Sequence, residues 1–255
     1  MNIWQSQWYS GRLNRDMRVR VYGNGGDSLP LLIFPTQDGM CDNWEGFGLT
    51  DTISDYVDRG ELQLFAVDSV DQDSWSAVGQ DGSHRAWVQE QYYQYIIEEV
   101  LPFIRIHNGS GNLPVAAGCS MGATHAVICF LRRPDLFGGT IAMSGVYDAD
   151  YFFDGYMDET LYQNSPTHFM PNLPADHPYI ALYNRRFPVI CVGQGAWEED
   201  GIRTQRALEQ AFREKGINAW FDYWGYDVNH DWPWWKKQIR YFLPEVLKHC
   251  RGMKE

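Results

Sequence analysis

The sequence has no apolar run that approaches the roughly 20 residues needed to cross a bilayer, so no transmembrane helix is predicted. The stretch from Met1 to Trp8 lacks the basic and apolar regions of a secretory signal peptide. Positive charge is also scarce, since 21 Lys and Arg stand against 33 Asp and Glu, for a formal net charge of −12. Phosphates are bound by basic surfaces, so we expect neither nucleic acid nor a membrane as a partner.

Cysteine is sparse and unpatterned, which argues against a disulfide framework. The five cysteines are an odd number without C-x-x-C spacing: Cys41, Cys119, Cys129, Cys191 and Cys250. Three of them lie in apolar stretches that resemble strands or helices. We therefore expect reduced, buried thiols in a cytoplasmic protein.

Motifs that bind metals or nucleotides are missing as well. The sequence contains no H-E-x-x-H, no His-x-His and no G-x-x-x-x-G-K-[ST]. The glycines between Gly23 and Gly26 suit a loop after a hairpin better than a phosphate cradle. We predict no metal and no cofactor.

The order of apolar segments predicts one α/β domain spanning residues 1–255. Strands are predicted at 4–9, 17–22, 29–34, 62–67, 115–117, 140–144, 188–193 and 219–224. Helices are predicted at 49–59, at 87–107, directly after the 115–117 strand, at 202–215 and at 235–250. This alternation indicates a mostly parallel sheet with an N-terminal antiparallel hairpin and helices on both faces. Residues 147–187 lack a strand signal and are either a cap-like insertion or a packed excursion without a role in access.

One stretch carries a catalytic motif in its proper context. Gly118-Cys-Ser-Met-Gly122 is a G-x-S-x-G sequence that follows a buried strand and precedes an apolar helix. Such a sharp turn exposes the serine at the edge of the sheet and places a helix N-terminus behind it. We predict Ser120 as the nucleophile; the alternative is a Gly-rich turn with an incidental serine.

The chain now resembles the α/β-hydrolase superfamily in the order of its parts. More closely, three segments resemble the bacterial "putative esterase" family, which is related to esterase D, the S-formylglutathione hydrolases. They are Gly118–Gly122, Val192-Gly-Gln-Gly-Ala-Trp-Glu-Glu199 and Val228-Asn-His-Asp-Trp-Pro-Trp-Trp235. The resemblance runs from Trp8 to Leu243 and implies an α/β-hydrolase fold and a serine nucleophile, but no particular substrate.

Among the seven histidines, only His230 follows the last strand and precedes a terminal helix. A hydrolase base reaches back over the sheet from this position, so we predict His230 as the general base. The alternative is a loop histidine with a structural hydrogen bond. His125 also follows Ser120 closely, but five positions along the helix place it about one and a half turns away, within a packed helix.

The acid of a triad is predicted at Glu198, with rivals beside it. Counting a G-x-x-D spacing from Gly195 gives Glu198, whereas counting from Gly193 gives Ala196, which cannot serve. The resemblance also places the acid at Glu198, where esterase D relatives carry Gln-Gly-x-x-Asp. Glu199, Asp200 or a group from another loop remain alternatives, as does an acidic patch that caps the next helix.

The oxyanion hole needs two backbone N–H groups. One follows the nucleophile and is that of Met121. The resemblance implies that the second is that of Gln37, with Thr36 as second choice. Pro35 is not a candidate because it has no N–H to donate.

Several aromatic residues are placed after strand ends and are candidates for an apolar acyl or aryl pocket. They are Trp44, Trp75, Trp197 and Trp232, with Phe47 and Trp234 beside them. The alternative assigns them to the core or to a dimer surface.

The sequence thus predicts a serine esterase that acts on a small-molecule ester through an acyl-enzyme. Two alternatives stay open. One is an acyltransferase that uses the same intermediate, and the other is a non-catalytic binding protein, favoured if the Glu198 loop does not reach His230. A homo-oligomer is neither required nor excluded.

Overall fold

The computed structural model describes residues 1–254, and one eight-stranded sheet runs through them. The strands are β1 Ile3–Ser10, β2 Arg15–Tyr22, β3 Leu29–Phe34, β4 Leu62–Val67, β5 Val115–Cys119, β6 Gly139–Met143, β7 Phe187–Val192 and β8 Trp220–Tyr223. Their order across the sheet is β1-β2-β4-β3-β5-β6-β7-β8. The pairs β1–β2 and β2–β4 are antiparallel, and all later pairs are parallel. The predicted sheet is confirmed.

The burial of each strand follows from its position in the sheet. β1 lies at an edge, and its side chains alternate between exposed and half-buried positions. The interior strands β3, β4, β5 and β6 are buried at every residue. Parallel strands that are covered on both faces have no solvated side, which is why their sequences are continuous apolar runs.

Twelve α-helices are found within residues 1–254. They are α1 Asn43–Gly46, α2 Leu49–Thr52, α3 Ser54–Asp58, α4 Gly82–Tyr95, α5 Leu101–Asn108, α6 Met121–Arg132, α7 Asp150–Phe153, α8 Glu159–Tyr162, α9 Pro166–Phe169, α10 Pro178–Tyr183, α11 Glu199–Lys215 and α12 Trp232–Cys250. Alternate residues of a strand point to opposite faces of the sheet, so each strand contributes to two cores. Leu32 and Phe34 pack with α4, α6 and α11, whereas Leu31 and Ile33 pack with α1–α3 and α12.

The helix predicted at 87–107 starts earlier and is interrupted by a π-helical segment. The Asp81 side chain accepts a hydrogen bond from the backbone N–H of His84, which caps α4 and starts it at Gly82. Pro102 has no N–H and cannot bond to the carbonyl of residue 98, so the regular ladder breaks there. The π-helical segment Ile96–Val100 lies directly before this break and joins α4 to α5.

The helix predicted at 49–59 is divided into α2 and α3. Ile53 separates them with a non-helical φ of −117° and is fully buried in the core. Thr52 and Ile53 are β-branched and lose side-chain freedom in a helix, so burial of Ile53 prevails over helical continuity. In residues 147–187 the structure has four short helices, α7–α10, and a role of this segment as a cap stays a prediction.

All five cysteines are free and buried. None of the helices within residues 1–254 combines the length and the apolar character that crossing a membrane would require.

Candidate active site

Loops from four parallel strands meet at one edge of the sheet. Ser120 directly follows β5, Glu198 follows β7, His230 follows β8, and Gln37 follows β3. The carboxyl ends of parallel strands share an edge, which is where ligands bind in sheets of this kind. Residues that are distant in sequence therefore become neighbours.

Ser120 lies in a strained turn that two glycines make possible. Its φ is +56°, in a region that a residue with a side chain rarely adopts. A Cβ on Gly118 would overlap the backbone of Gly122, and a Cβ on Gly122 would lie 2.5 Å from the carbonyl oxygens of Phe34 and Pro35. The first turn of helix α6 therefore lies directly against the end of β3.

His230 connects the serine to a carboxylate. Its Nε2 lies 2.9 Å from Oγ of Ser120, and its Nδ1 lies 3.1 Å from Oε2 of Glu198. A histidine held in this way presents an acceptor nitrogen to the hydroxyl while its other N–H donates to the acid. The structure thus brings together the three residues that the sequence suggested for a triad.

The carboxylates next to Glu198 point elsewhere. Glu198 is fully buried, and its Oε1 accepts hydrogen bonds from the Ser144 hydroxyl, at 2.6 Å, and the Gly193 N–H, at 3.3 Å. Glu199 begins α11 and is exposed, and Asp200 forms an ion pair with Arg203 at 3.1 Å. Only Glu198 contacts His230 among these three acids.

The loop that carries the acid is bonded to the loop that carries the histidine. The N–H of Gly195 donates to the carbonyl of Val228 at 2.9 Å, and the N–H of His230 donates to the carbonyl of Ala196 at 3.0 Å. The N–H of Ala196 donates to Oδ1 of Asn229 at 2.8 Å. A Cβ on Gly195 would overlap this amide oxygen, so the close approach of the loops requires glycine.

Two further residues of this network were missed by the sequence analysis. Trp235 donates from Nε1 to Oγ of Ser144 at 3.0 Å, and its ring lies edge-to-face with that of His230, with centroids 5.0 Å apart. Ser144 has a φ of +59°, and its hydroxyl donates a hydrogen bond to Oε1 of Glu198. The only sequence signal for Ser144 was its position at a strand end before Gly145.

Two backbone N–H groups beside Ser120 are unused. Neither the N–H of Gln37 nor that of Met121 donates to any residue that the structure describes, and both residues line the cavity at Ser120. The N–H of Thr36, the second candidate, donates to Oδ1 of Asn43 at 3.1 Å. Thr36 is therefore engaged, which leaves Gln37 and Met121 as the pair with donors to offer an anion.

A cavity of about 320 Å³ opens at Ser120 and His230. Val146, Tyr151 and Phe152 contribute apolar surface to its wall, and Glu199 and Asp200 place carboxylates at it. A second cavity of about 360 Å³ is lined by Pro30 at the start of β3 and by Leu113 and Pro114 before β5, at the opposite edge of the sheet. None of the catalytic candidates lines that second cavity.

Of the four tryptophans predicted to line the pocket, the structure places Trp197 at the cavity and Trp44, Trp75 and Trp232 elsewhere. Contact of Trp197 with a substrate stays a prediction. Trp197 lines the cavity and is 85% exposed, with a φ of +68°. Trp44 and Trp75 are buried in the core, and Nε1 of Trp75 donates to Gln89 at 2.7 Å. Trp232 instead stacks on Phe47, with ring centroids 4.4 Å apart, outside the cavity wall. Position after a strand end predicted proximity but not the direction of the side chain.

Two thiols near the site are inert by burial. Burial raises the pKa of Cys119, next to Ser120, and of Cys191, in the strand that leads to Glu198, well above the ordinary thiol value. A thiol rather than a thiolate is a poor nucleophile. Ser120 therefore has no competitor from these cysteines.

Comparisons with known proteins identify the family and the fold. The model of the family described as "Putative esterase" matches residues 10–245. Among solved structures, a ferulic acid esterase is similar at 18% identity and a TM-score of 0.75, with 98% of each chain covered. An S-formylglutathione hydrolase from Agrobacterium tumefaciens is similar at 14% identity and a TM-score of 0.74, with 97% of this chain and 95% of that chain covered.

A third similar structure is the fluorophosphonate-binding serine hydrolase F of Staphylococcus aureus, at 14% identity and a TM-score of 0.71. It covers 96% of this chain and 98% of its own. No match was found among curated proteins. At these identities the structural likeness shows the fold, whereas the family match covers nearly the whole sequence. The chain belongs to the Putative esterase family and is a carboxylic ester hydrolase with the α/β-hydrolase fold.

Proposed function

We propose that this enzyme cleaves small carboxylic esters through an acyl-enzyme on Ser120. The observation that carries the proposal is the hydrogen-bonded chain from Glu198 to His230 to Ser120, with contacts of 3.1 and 2.9 Å. A non-catalytic binding role was favoured only if the Glu198 loop did not reach His230. Because Glu198 contacts His230, this condition for a non-catalytic role is not met.

In the first half-reaction, Nε2 of His230 accepts the proton of the Ser120 hydroxyl as Oγ attacks the ester carbonyl. The carbonyl oxygen becomes an oxyanion that accepts hydrogen bonds from the N–H groups of Gln37 and Met121. The tetrahedral intermediate collapses as His230 returns the proton to the departing alcohol. Ser120 keeps the acyl group as an ester.

In the second half-reaction, His230 accepts a proton from water, and the hydroxide attacks the acyl-enzyme. The intermediate collapses to the carboxylic acid, and the proton returns to Ser120. An alcohol in place of water would give a new ester, which is the acyltransferase alternative. Analysis of the products formed with added methanol separates the two reactions.

The surroundings of the site support a small, uncharged ester as substrate. The cavity of about 320 Å³ is at the lower end of the range for small-molecule pockets. Glu199 and Asp200 at its wall, in a chain with a net charge of −12, disfavour anionic substrates by repulsion. Nucleic acid and membranes are excluded from the proposal for the same reason. The five free, buried thiols support a cytoplasmic setting.

The test uses a fluorophosphonate probe, which forms a stable bond with an activated serine, and p-nitrophenyl acetate as substrate. Ser120→Ala should abolish labelling and lower turnover on the order of 10⁶-fold, with unchanged thermal stability, because its hydroxyl lies at the surface of the cavity. His230→Ala should have a comparable effect. Peptide mapping should place the label on Ser120, and labelling that persists in Ser120→Ala would refute the proposal.

A further inference from the structure

A buried acid–base pair lies next to the site and has no part in the reaction described above. Nε2 of His125 lies 2.9 Å from Oδ1 of Asp71, and the two side chains are 1% and 0% exposed. Burying a carboxylate is costly unless its oxygens accept hydrogen bonds. Both oxygens of Asp71 are therefore expected to accept hydrogen bonds. The donors of these bonds show which elements the pair connects.

The histidine ring is fixed from several sides. His125 belongs to α6, the helix whose first residue is Met121. Its ring stacks on Phe34 at the end of β3, with centroids 5.8 Å apart, and lies edge-to-face with Tyr92 at 5.1 Å. These ring contacts restrict the rotation of the His125 side chain. Its N–H therefore sets the position of the Asp71 carboxylate relative to α6.

The second oxygen of the Asp71 carboxylate contacts the loop that follows β3 and contains Gln37 and Asp38, which we call the oxyanion loop. Oδ2 of Asp71 accepts a hydrogen bond from the backbone N–H of Asp38 at 3.2 Å, and Asp38 has a φ of +60°. A residue with a side chain occupies this left-handed conformation only where neighbouring contacts hold it. Asp38 directly follows Gln37, so the bond fixes the backbone that carries the proposed oxyanion donor.

A second contact holds the same loop from the same turn. The Gln37 side chain donates from Nε2 to Oγ of Ser76 at 2.7 Å. The N–H of Ser76 in turn donates to the backbone carbonyl of Asp71 at 2.8 Å. The 71–76 turn thus binds the oxyanion loop at two points, while His125 joins that turn to α6.

We propose that Asp71 and His125 are positioning residues that fix the Gln37 N–H relative to the Met121 N–H. The proposal rests on the proposed function, since it concerns the oxyanion hole of that reaction. A carboxylate is required because it accepts from two elements at once. An asparagine offers one oxygen and one donor, so it would set a donor against either the ring N–H or the Asp38 N–H.

The test separates positioning from packing by the kinetic step that is affected. Asp71→Asn and His125→Leu should lower kcat for p-nitrophenyl acetate by about 10- to 100-fold, less than the loss of a whole oxyanion donor, with KM changed less than about twofold. Phenyl trifluoromethyl ketone is attacked by Ser120 to give a tetrahedral adduct whose former carbonyl oxygen is an oxyanion. Its inhibition constant should therefore rise by a similar factor in these variants. His125→Gln keeps an N–H donor and should recover part of kcat.

Tyr183→Phe is the matched control for stability. It removes another buried hydrogen bond to α6, from the Tyr183 hydroxyl to the carbonyl of Leu131 at the C-terminal end of the helix. It should lower Tm without changing kcat or the inhibition constant. If Asp71→Asn does not fold, the two His125 variants test the proposal instead. A higher kcat for His125→Gln than for His125→Leu supports a positioning role, and equal values contradict it.

Two outcomes would overturn the inference. Variants of the pair that behave like Tyr183→Phe would show a packing role only. A rise in KM with unchanged kcat would show an effect on substrate binding. Failure of the proposed function is a separate result, because it would appear as labelling and turnover in Ser120→Ala whatever the pair does.

Discussion

Single residues in strained conformations are concentrated at the catalytic edge of the sheet. Six residues other than glycine have a positive φ within residues 1–254, and four of them lie here: Asp38, Ser120, Ser144 and Trp197. Each such conformation costs on the order of 1–3 kcal/mol and persists only where its surroundings hold it. Asp71 holds Asp38, and Glu198 accepts from Ser144. The strained conformations of Asp38 and Ser144 are thus held by hydrogen bonds within the candidate site.

At this scale, we expect Glu198→Gln to lower kcat about 10⁴-fold. The amide keeps the shape of the acid but favours the wrong tautomer of His230, which has this effect in a serine protease. Glu199→Gln and Asp200→Asn are matched controls in the same loop and should lose less than tenfold, because neither residue contacts His230. Steady-state kinetics with p-nitrophenyl acetate measures all three. A loss under tenfold for Glu198→Gln would leave a Ser–His dyad as the better description.

At the scale of secondary-structure elements, the geometry of the site depends on the contact between the start of α6 and the end of β3. Gly122 has no side chain, so the first turn of α6 approaches the carbonyls of Phe34 and Pro35. This approach brings Met121, at the N-terminus of α6, beside the loop of Gln37. The spacing between the two proposed oxyanion donors, which belong to different elements, therefore depends on the absence of a Cβ at Gly122.

Gly122→Ala should consequently lower kcat by about 100-fold or more. The new Cβ would meet two backbone oxygens at 2.5 Å, and a shift of about 1 Å in the site has a cost of this size. Gly46→Ala is the control, because Gly46 also lies in a helix but a Cβ there would meet nothing within 4 Å. That variant should keep full activity and gain up to about 1 kcal/mol. Equal activity of the two variants would contradict this role of the contact between α6 and β3.

At the scale of the whole molecule, the two cores bury titratable groups in their neutral form. Burial raises the pKa of Cys41, Cys129 and Cys250 to about 12. The pKa values of Cys119, Cys191 and several buried tyrosines are raised by the same cause. A thiol with a folded pKa above its unfolded value of 9 stabilises the fold fully below pH 9, and this contribution falls as pH rises towards 12.

We therefore expect the free energy of unfolding to fall between pH 9 and pH 11 by up to about 1.4 kcal/mol per pH unit for each buried thiol, and the urea midpoint to fall with it. Cys250→Ala should have a lower midpoint at pH 7.5 but a shallower decline above pH 9, since one buried thiol is gone. The native thiols should also resist a disulfide reagent at pH 8 until the protein is unfolded. A midpoint that is constant up to pH 11, or rapid reaction of the native thiols, would count against buried neutral cysteines.

The sequence by itself determined the sheet and located the candidate nucleophile and the candidate base. The strands predicted at 29–34 and 62–67 match β3 and β4 residue for residue, because a run buried on both faces is continuous and its ends are marked by turns. The positions of Ser120 and His230 follow from chain order, since Ser120 directly follows β5 and His230 lies in the loop between β8 and α12. Glu198 was favoured by spacing, but the sequence left Glu199 and Asp200 open beside it.

Tertiary structure decided the direction in which side chains point. Burial placed Trp75 in the core and Trp197 in the cavity, although both follow strand ends. The contact of Glu198 with His230 depends on loops that are bonded across 32 positions of sequence. The pairing of His125 with Asp71 joins elements 54 positions apart, and no local pattern marks it. Periodicity and turn chemistry are local and can be seen in a sequence, whereas the partner of a buried polar group is set only by packing.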